Sequence, residues 1–170
     1  MNRITNALLL LKRLRRTGWV EVGVKSPESV ADHSYALAVM AFISADKLGL
    51  DAEKAVKMAL VHDIPESFLG DLTPRMKKKI PRKILETVEK AIFHELFSEL
   101  PPRQAEQYYN LYVEYLEKSS SEARLVHKLD REELVNEALW IAARQKINLK
   151  RFGIRGSGFI RRGGIYGRIG

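Results

Sequence analysis

Apolar residues recur along most of this chain at helical spacing, while the two-residue alternation of a half-buried strand is nearly absent. The pattern predicts an all-α fold. A first helix is expected over residues 3–14, with Ile4, Ala7, Leu8, Leu11 and Leu14 on one face and Gly18 just beyond its end. Residues 19–27 then read as a loop or short extended piece. A second helix is expected over 29–48, between Pro27 and Gly49, and its middle (36–43) is apolar nearly all round, as in a central buried helix. Asp51 suits the N-cap of a third helix reaching His62; Pro65 stops it there, because proline lacks an amide donor and clashes with the preceding turn. Residues 63–75 are therefore expected to form a loop with short turns. Further helices are predicted at about 81–99, with Ile84, Val88, Ala91 and Ile92 in register, at about 102–118, and at 121–149. In the helix at 102–118, Ala105, Tyr108, Tyr109, Tyr112, Tyr115 and Leu116 follow helical spacing. Such a stripe fits core or interface packing better than a base-stacking platform.

The informative positions are those where ionisable groups interrupt apolar stripes, since a buried charge is unfavourable unless paired or metal-bound. Val30, His33, Leu37 and Met40 share a face, which turns His33 inward. Ala55, Met58, Ala59 and His62 share another, with Asp63 directly following, and Val126, Asp130, Leu134 and Ile141 line up on a third helix. Singly, a satisfied core histidine or a capping aspartate explains each. Together, two His and two Asp from three helices have the chemistry to share one buried divalent cation, as helical bundles commonly arrange. Glu66 and Asp71 add two carboxylates close by. Glu66 also suits the first turn of a short helix, and Asp71, in Gly70-Asp71-Leu72-Thr73-Pro74, suits a turn or N-cap.

Composition narrows the classes. At 170 residues, 45% hydrophobic and 29% charged, the chain fits one globular domain with at most a short tail. With no cysteine, disulfides, a thiolate zinc site and a cysteine nucleophile are excluded, so a metal must sit on His, Asp or Glu. No apolar run approaches the roughly 18 residues of a membrane span, and the start of the chain lacks a secretory cleavage site; a cytoplasmic protein is expected. The net charge is +8, but residues 1–149 hold 23 basic against 21 acidic side chains and so carry only +2. The segment 150–170 has six basic residues, no acid and seven of the eleven glycines, and is expected to be a basic extension to a domain at 1–149. Nucleic-acid binding by the folded part has little support.

The strings Arg16-Thr17-Gly18-Trp19, Pro27-Glu28-Ser29-Val30-Ala31-Asp32-His33, Leu60-Val61-His62-Asp63-Ile64-Pro65-Glu66, Gly70-Asp71-Leu72 and Leu129-Asp130 resemble, in order and spacing, the HD-domain metal-dependent phosphohydrolases of the 5′-deoxynucleotidase type, including the HD-domain-containing protein 2 group. The similarity covers about residues 8–145. It implies an HD-domain helical bundle with a buried divalent metal site, often dimeric, hydrolysing deoxyribonucleoside 5′-monophosphates with Mn, Co or Mg. It further implies that His33, His62, Asp63 and Asp130 are metal ligands, that Glu66 orients or deprotonates water, and that Asp71 serves the leaving group or sugar hydroxyl. Arg16 would hold phosphate and Trp19 would lie against the sugar. Asp32 stands where many relatives have Glu, a change outside the implied ligand set.

Two other functions remain compatible with the residues. The same metal site serves a nucleoside triphosphate hydrolase or a phosphodiesterase, since the HD pattern alone does not choose among them. A non-enzymatic nucleotide- or RNA-binding module would use the basic tail and the tyrosine helix, but would not need four converging ligands and two further carboxylates. His94 and His127 lack partners at ligand spacing and are expected to serve packing or the surface.

Overall fold

The computed structural model describes residues 2–152. Among these residues the chain forms nine α-helices and no strand: α1 (Arg3–Leu11), α2 (Thr17–Glu21), α3 (Val30–Leu48), α4 (Ala52–Val61), α5 (Glu66–Leu69), α6 (Pro74–Lys77), α7 (Arg82–Phe97), α8 (Pro102–Glu117) and α9 (Ser121–Ala142), closed by a 3-10 turn at Leu149–Phe152. The expected extension beyond Phe152 lies outside the described residues.

Local chemistry sets the helix limits. Ser29 and Asp32 form a capping box at the start of α3: the Ser29 side chain accepts from the Asp32 amide and the Asp32 carboxylate accepts from the Ser29 amide. Two hydrogen bonds from Ser29 to this carboxylate lower its pKa. Gly49, at φ +66°, ends the helix in the left-handed conformation that glycine adopts without strain. Asp51 caps α4 by accepting from the Lys54 amide, as its sequence position implies.

Helix α3 packs against α4 and α9, and α7 pairs with α8. Val30, Leu37, Ala41, Ala55, Met58, Phe93, Tyr112, Val126 and Leu129 belong to the main core. Phe93 stacks between Phe97 and Tyr112, with centroid separations of 4.2 and 4.3 Å; the tyrosine stripe of α8 is packing. A smaller cluster of Trp19, Val24, Ala138, Ile141 and Phe152 sits apart from it.

Four local expectations change. Trp19 lies in the short helix α2, not in a loop, because the Arg16 carbonyl accepts from the Trp19 and Val20 amides. Helix α7 faces the core with Phe93, Leu96 and Phe97, while Ile84 and Val88 are exposed; Phe93, stacked between Tyr112 and Phe97, buries more apolar surface there than the aliphatic row would. Helix α9 stops at Ala142, after which the Gln145 side chain bonds both the amide and the carbonyl of Lys25 and turns the chain toward Trp19. Helix α3 is buried on one face only: Tyr35, Val39, Phe42 and Ile43 are exposed on the other.

Candidate active site

Three helices bring His33, His62 and Asp130 together. One potential ligand atom from each lies within 4.8 Å of the others. His33 projects from the first turn of α3 and is fully buried, His62 ends α4, and Asp130 comes from the middle of α9. Asp63 completes the group, with Oδ2 at 3.0 Å from His62 Nε2 and 3.8 Å from His33 Nε2. All four residues named from the sequence thus meet in one place.

The donor set fits a divalent cation. His62 Nδ1 donates to the Ala59 carbonyl at 2.8 Å, and His33 Nδ1 lies 2.6 Å from Glu133 Oε2. With both Nδ1 atoms engaged, each imidazole directs Nε2 toward the carboxylates, the arrangement of neutral histidine ligands. His33 Nε2 is buried without a hydrogen-bond partner, although Asp130 Oδ1 lies 3.3 Å away. Electrostatics agree: burial opposes a charge on His33, but Asp130 and Glu133 outweigh it and raise its pKa to about 10. Burial likewise opposes ionisation of Asp63, yet His62, Arg16 and His33 hold its carboxyl well below the ordinary range. The carboxylates therefore call for positive charge at this point, which a cation between the imidazoles would provide.

The other candidates border a cavity of about 830 Å³ that reaches Asp63 and Asp130. Antiparallel pairing of Arg15 with Ser29 ties the segment after α1 to the start of α3 and carries Arg16 inward. Its Nη1 lies 3.3 Å from Asp63 Oδ2 and 3.9 Å from Asp71 Oδ1. Asp71 also accepts the Thr17 backbone N–H, and so caps α2 while facing Arg16. Gly70, at φ +78°, turns the chain between α5 and Asp71. Glu66 follows Pro65 in the first turn of α5, is buried, and has an Oε2 without a hydrogen-bond partner. Burial and the neighbouring Asp63 charge push its pKa up to about 9, against the pull of Lys77, whose Nζ lies 3.6 Å from Oε1.

Trp19 lines the same cavity but is only 1% exposed. Its indole N–H donates to Glu28 Oε1 at 2.9 Å, and its ring lies 4.3 Å from that of Phe152. It is a fixed wall with little free surface.

Sequence reasoning missed several residues. Glu133 fits the spacing of buried Val126 and Leu129, seven and four residues earlier, so the helical stripe that revealed Asp130 also held its signal. Lys77, Arg75, Arg131 and Phe152 line the cavity without a pattern that separates them from surface charges or tail residues. Tyr115 both packs and lines the cavity, its ring edge-on to His62 and stacked on His127. His127 Nε2 pairs with the Tyr115 carbonyl and exposed His94 meets Tyr109 edge-on, so both histidines serve packing.

Known proteins resemble this chain in sequence and in fold. The bovine protein named 5′-deoxynucleotidase HDDC2 is 40% identical over 128 residues, which cover 75% of this chain and 61% of the bovine one. Matched to the cattle, mouse and Xenopus laevis proteins of that name, this chain spans 61–63% of their length. A crystal structure of a Pyrococcus horikoshii OT3 protein superposes with a TM-score of 0.76 at 34% identity, covering 88% of this chain and 83% of the other. A protein from Magnetospirillum magnetotacticum MS-1, described as a predicted metal-dependent phosphohydrolase, gives 0.66 at 28% identity over 80% and 69% of the two chains. The HD domain family model matches residues 9–162, which takes in every candidate ligand; the chain belongs to the HD domain family.

Proposed function

We propose that this chain is a metal-dependent 5′-deoxynucleotidase, which hydrolyses deoxyribonucleoside 5′-monophosphates to the deoxynucleoside and phosphate. The observation that carries this is the group of buried His33 and His62 with half-buried Asp130, and Asp63 beside it, opening on a cavity that also holds Arg16 and Glu66. The naming of the HDDC2 relatives supports the substrate class.

His33, His62, Asp63 and Asp130 would hold the cation, which we take to be Mn, Co or Mg. When bound, it supplies Lewis acidity that acidifies water and offsets charge on the transferring phosphoryl group. Arg16 offers phosphate a planar, permanently charged fork, exchanging part of its pairing with Asp63 and Asp71 for the substrate oxygens. Glu66 orients the attacking water and takes its proton; its buried place on the cavity and unpartnered Oε2 suit it to that task. Asp71 serves the leaving oxygen or the sugar hydroxyl from the other side of Arg16. Trp19 closes the space beside the sugar, where a 2′-hydroxyl would meet carbon.

The exposed face of α3 from Tyr35 to Ile43 contains no charge, and we assign it to a homodimer, since a two-fold interface must be self-complementary. Phe42→Glu should then yield monomers by sedimentation. Among the described residues no helix is long and apolar enough to cross a membrane, and the absence of cysteine accords with a cytoplasmic setting.

The test is phosphate release by metal-stripped protein resupplied with Mn, Co, Mg or Zn, using paired deoxyribo- and ribonucleoside mono- and triphosphates. Metal-dependent release favouring the deoxy-monophosphates is expected. Release from triphosphates alone would keep the metal site and reject the substrate.

A further inference from the structure

Glu133 lies on α9 one turn beyond Asp130 and is 6% exposed. Its Oε2 is 2.6 Å from His33 Nδ1, the nitrogen that points away from the ligand group. An ionised carboxylate there accepts the Nδ1 proton, which fixes the ring and leaves the Nε2 lone pair free for a metal. Oxygen atoms of Glu28 and Glu133 and a His33 ring nitrogen lie within 4.8 Å of one another. Glu28 in turn accepts the Trp19 indole N–H at 2.9 Å. Trp19, Glu28, Glu133 and His33 thus follow one another from the cavity wall to the ligand group, with hydrogen bonds at the two ends and the half-buried Glu28 carboxylate beside that of Glu133 between them.

This second cluster is not a second metal site. Two ligand atoms each about 2.0–2.2 Å from one ion sit roughly 3 Å apart, whereas 2.6 Å between His33 Nδ1 and Glu133 Oε2 is a charge-assisted hydrogen bond.

We propose that Glu133 is the positioning residue for His33, and that the Glu28 and Glu133 pair makes Trp19 part of the support of the metal centre. This rests on the assignment of His33 as a ligand, but not on any substrate. It makes the pocket wall and the cation site one mechanical unit, so that a change at the indole is felt in metal affinity.

Isothermal titration of metal-stripped full-length protein with Mn²⁺ alone tests it, without reference to catalysis. Glu133→Gln and Glu133→Ala should bind Mn²⁺ about 10–100-fold more weakly, the usual consequence of losing such a partner. Glu133→Asp should recover part of the loss, and the visible spectrum of the Co²⁺ form should shift in the Gln variant. Trp19→Phe, which removes only the indole donor and some volume, should weaken Mn²⁺ binding a few-fold and act non-additively with Glu133→Gln. Circular dichroism confirms that each variant is folded; if Gln and Ala are not, Glu133→Asp alone must still bind several-fold more weakly. Wild-type affinity in a folded Glu133 variant overturns the positioning role, and wild-type affinity in Trp19→Phe overturns the link to the wall. No binding by the wild type would instead remove the metal assignment itself.

Discussion

The two ends of the cavity are built differently. At the metal end, His33, His62 and Asp130 stand on α3, α4 and α9, the helices that enclose the main core. At the far wall, Trp19 comes from a five-residue helix and Phe152 from the closing 3-10 turn, and the two meet in the smaller cluster. The candidate ligands sit on long, packed elements, while the far wall is assembled from short pieces held by tertiary contacts. Substitutions at the metal end should therefore abolish turnover, and those at the far wall should alter which substrate is used.

The largest effect is expected at the metal end. Asp63→Asn removes a ligand charge and should lower phosphate release by about 10³-fold or more, above the loss seen when one electrostatic stabiliser of a transition state is removed. Titration with Mn²⁺ should show weakened binding in parallel. Glu66→Gln should behave otherwise: turnover falls on the order of 10²-fold, within the range for general acid–base catalysis, while Mn²⁺ affinity remains. Intact turnover in Glu66→Gln would transfer the proton to another group, with Asp71 next in line.

The same division explains what the amino-acid pattern revealed. His33, His62 and Asp130 interrupt long apolar stripes, so helical periodicity alone turns each of them inward, and the packing of the three helices brings them together. Asp63 does not share the stripe; it enters the set only because it directly follows His62 at the helix end. The far wall lacks such a signal. Trp19 becomes a wall only because Glu28 holds its indole N–H and Phe152, 133 positions later, covers its face, and no local spacing encodes that meeting. The register of α7 carries a related ambiguity. Its aliphatic row has good periodicity, but Tyr112 of another helix decides which residues are buried. Asp71 shows a third kind of ambiguity: its sequence suits a cap, the family assigns it to substrate, and its carboxylate both caps α2 and faces Arg16.

At the far wall, Trp19→Ala should shift preference more than rate. If the indole excludes the 2′-hydroxyl, the ratio of kcat/KM for deoxy- over ribonucleoside monophosphates should drop toward one, a change of at most about 10²-fold because an apolar wall rejects an added hydroxyl only weakly. A ratio that stays at its wild-type value, with kcat lowered for both sugars, would make Trp19 a support for the metal centre and nothing more.

Phe152 offers the finest division between the two ends, because it touches Trp19 and no ligand. Its ring packs on the indole at 4.3 Å, its carbonyl accepts from Arg131 Nη2 at 2.7 Å, and a Cβ added at Gly18 would lie 3.4 Å from its ring. Removing the ring leaves Trp19 held by Glu28 but free to tilt. Phe152→Ala should destabilise the protein by about 2–3 kcal/mol, somewhat less than the ~3–5 kcal/mol of a fully enclosed phenylalanine, since this cluster is small and peripheral. The ratio of deoxy- to ribonucleotide turnover should fall only a few-fold, and Phe152→Leu should restore most of it by refilling the space. Truncation after Leu149 removes the same ring together with the basic tail, so its ratio should match that of Phe152→Ala. A truncated protein with the wild-type ratio would show that Trp19 keeps its place through Glu28 alone, and the far wall would then depend on the metal end for its shape.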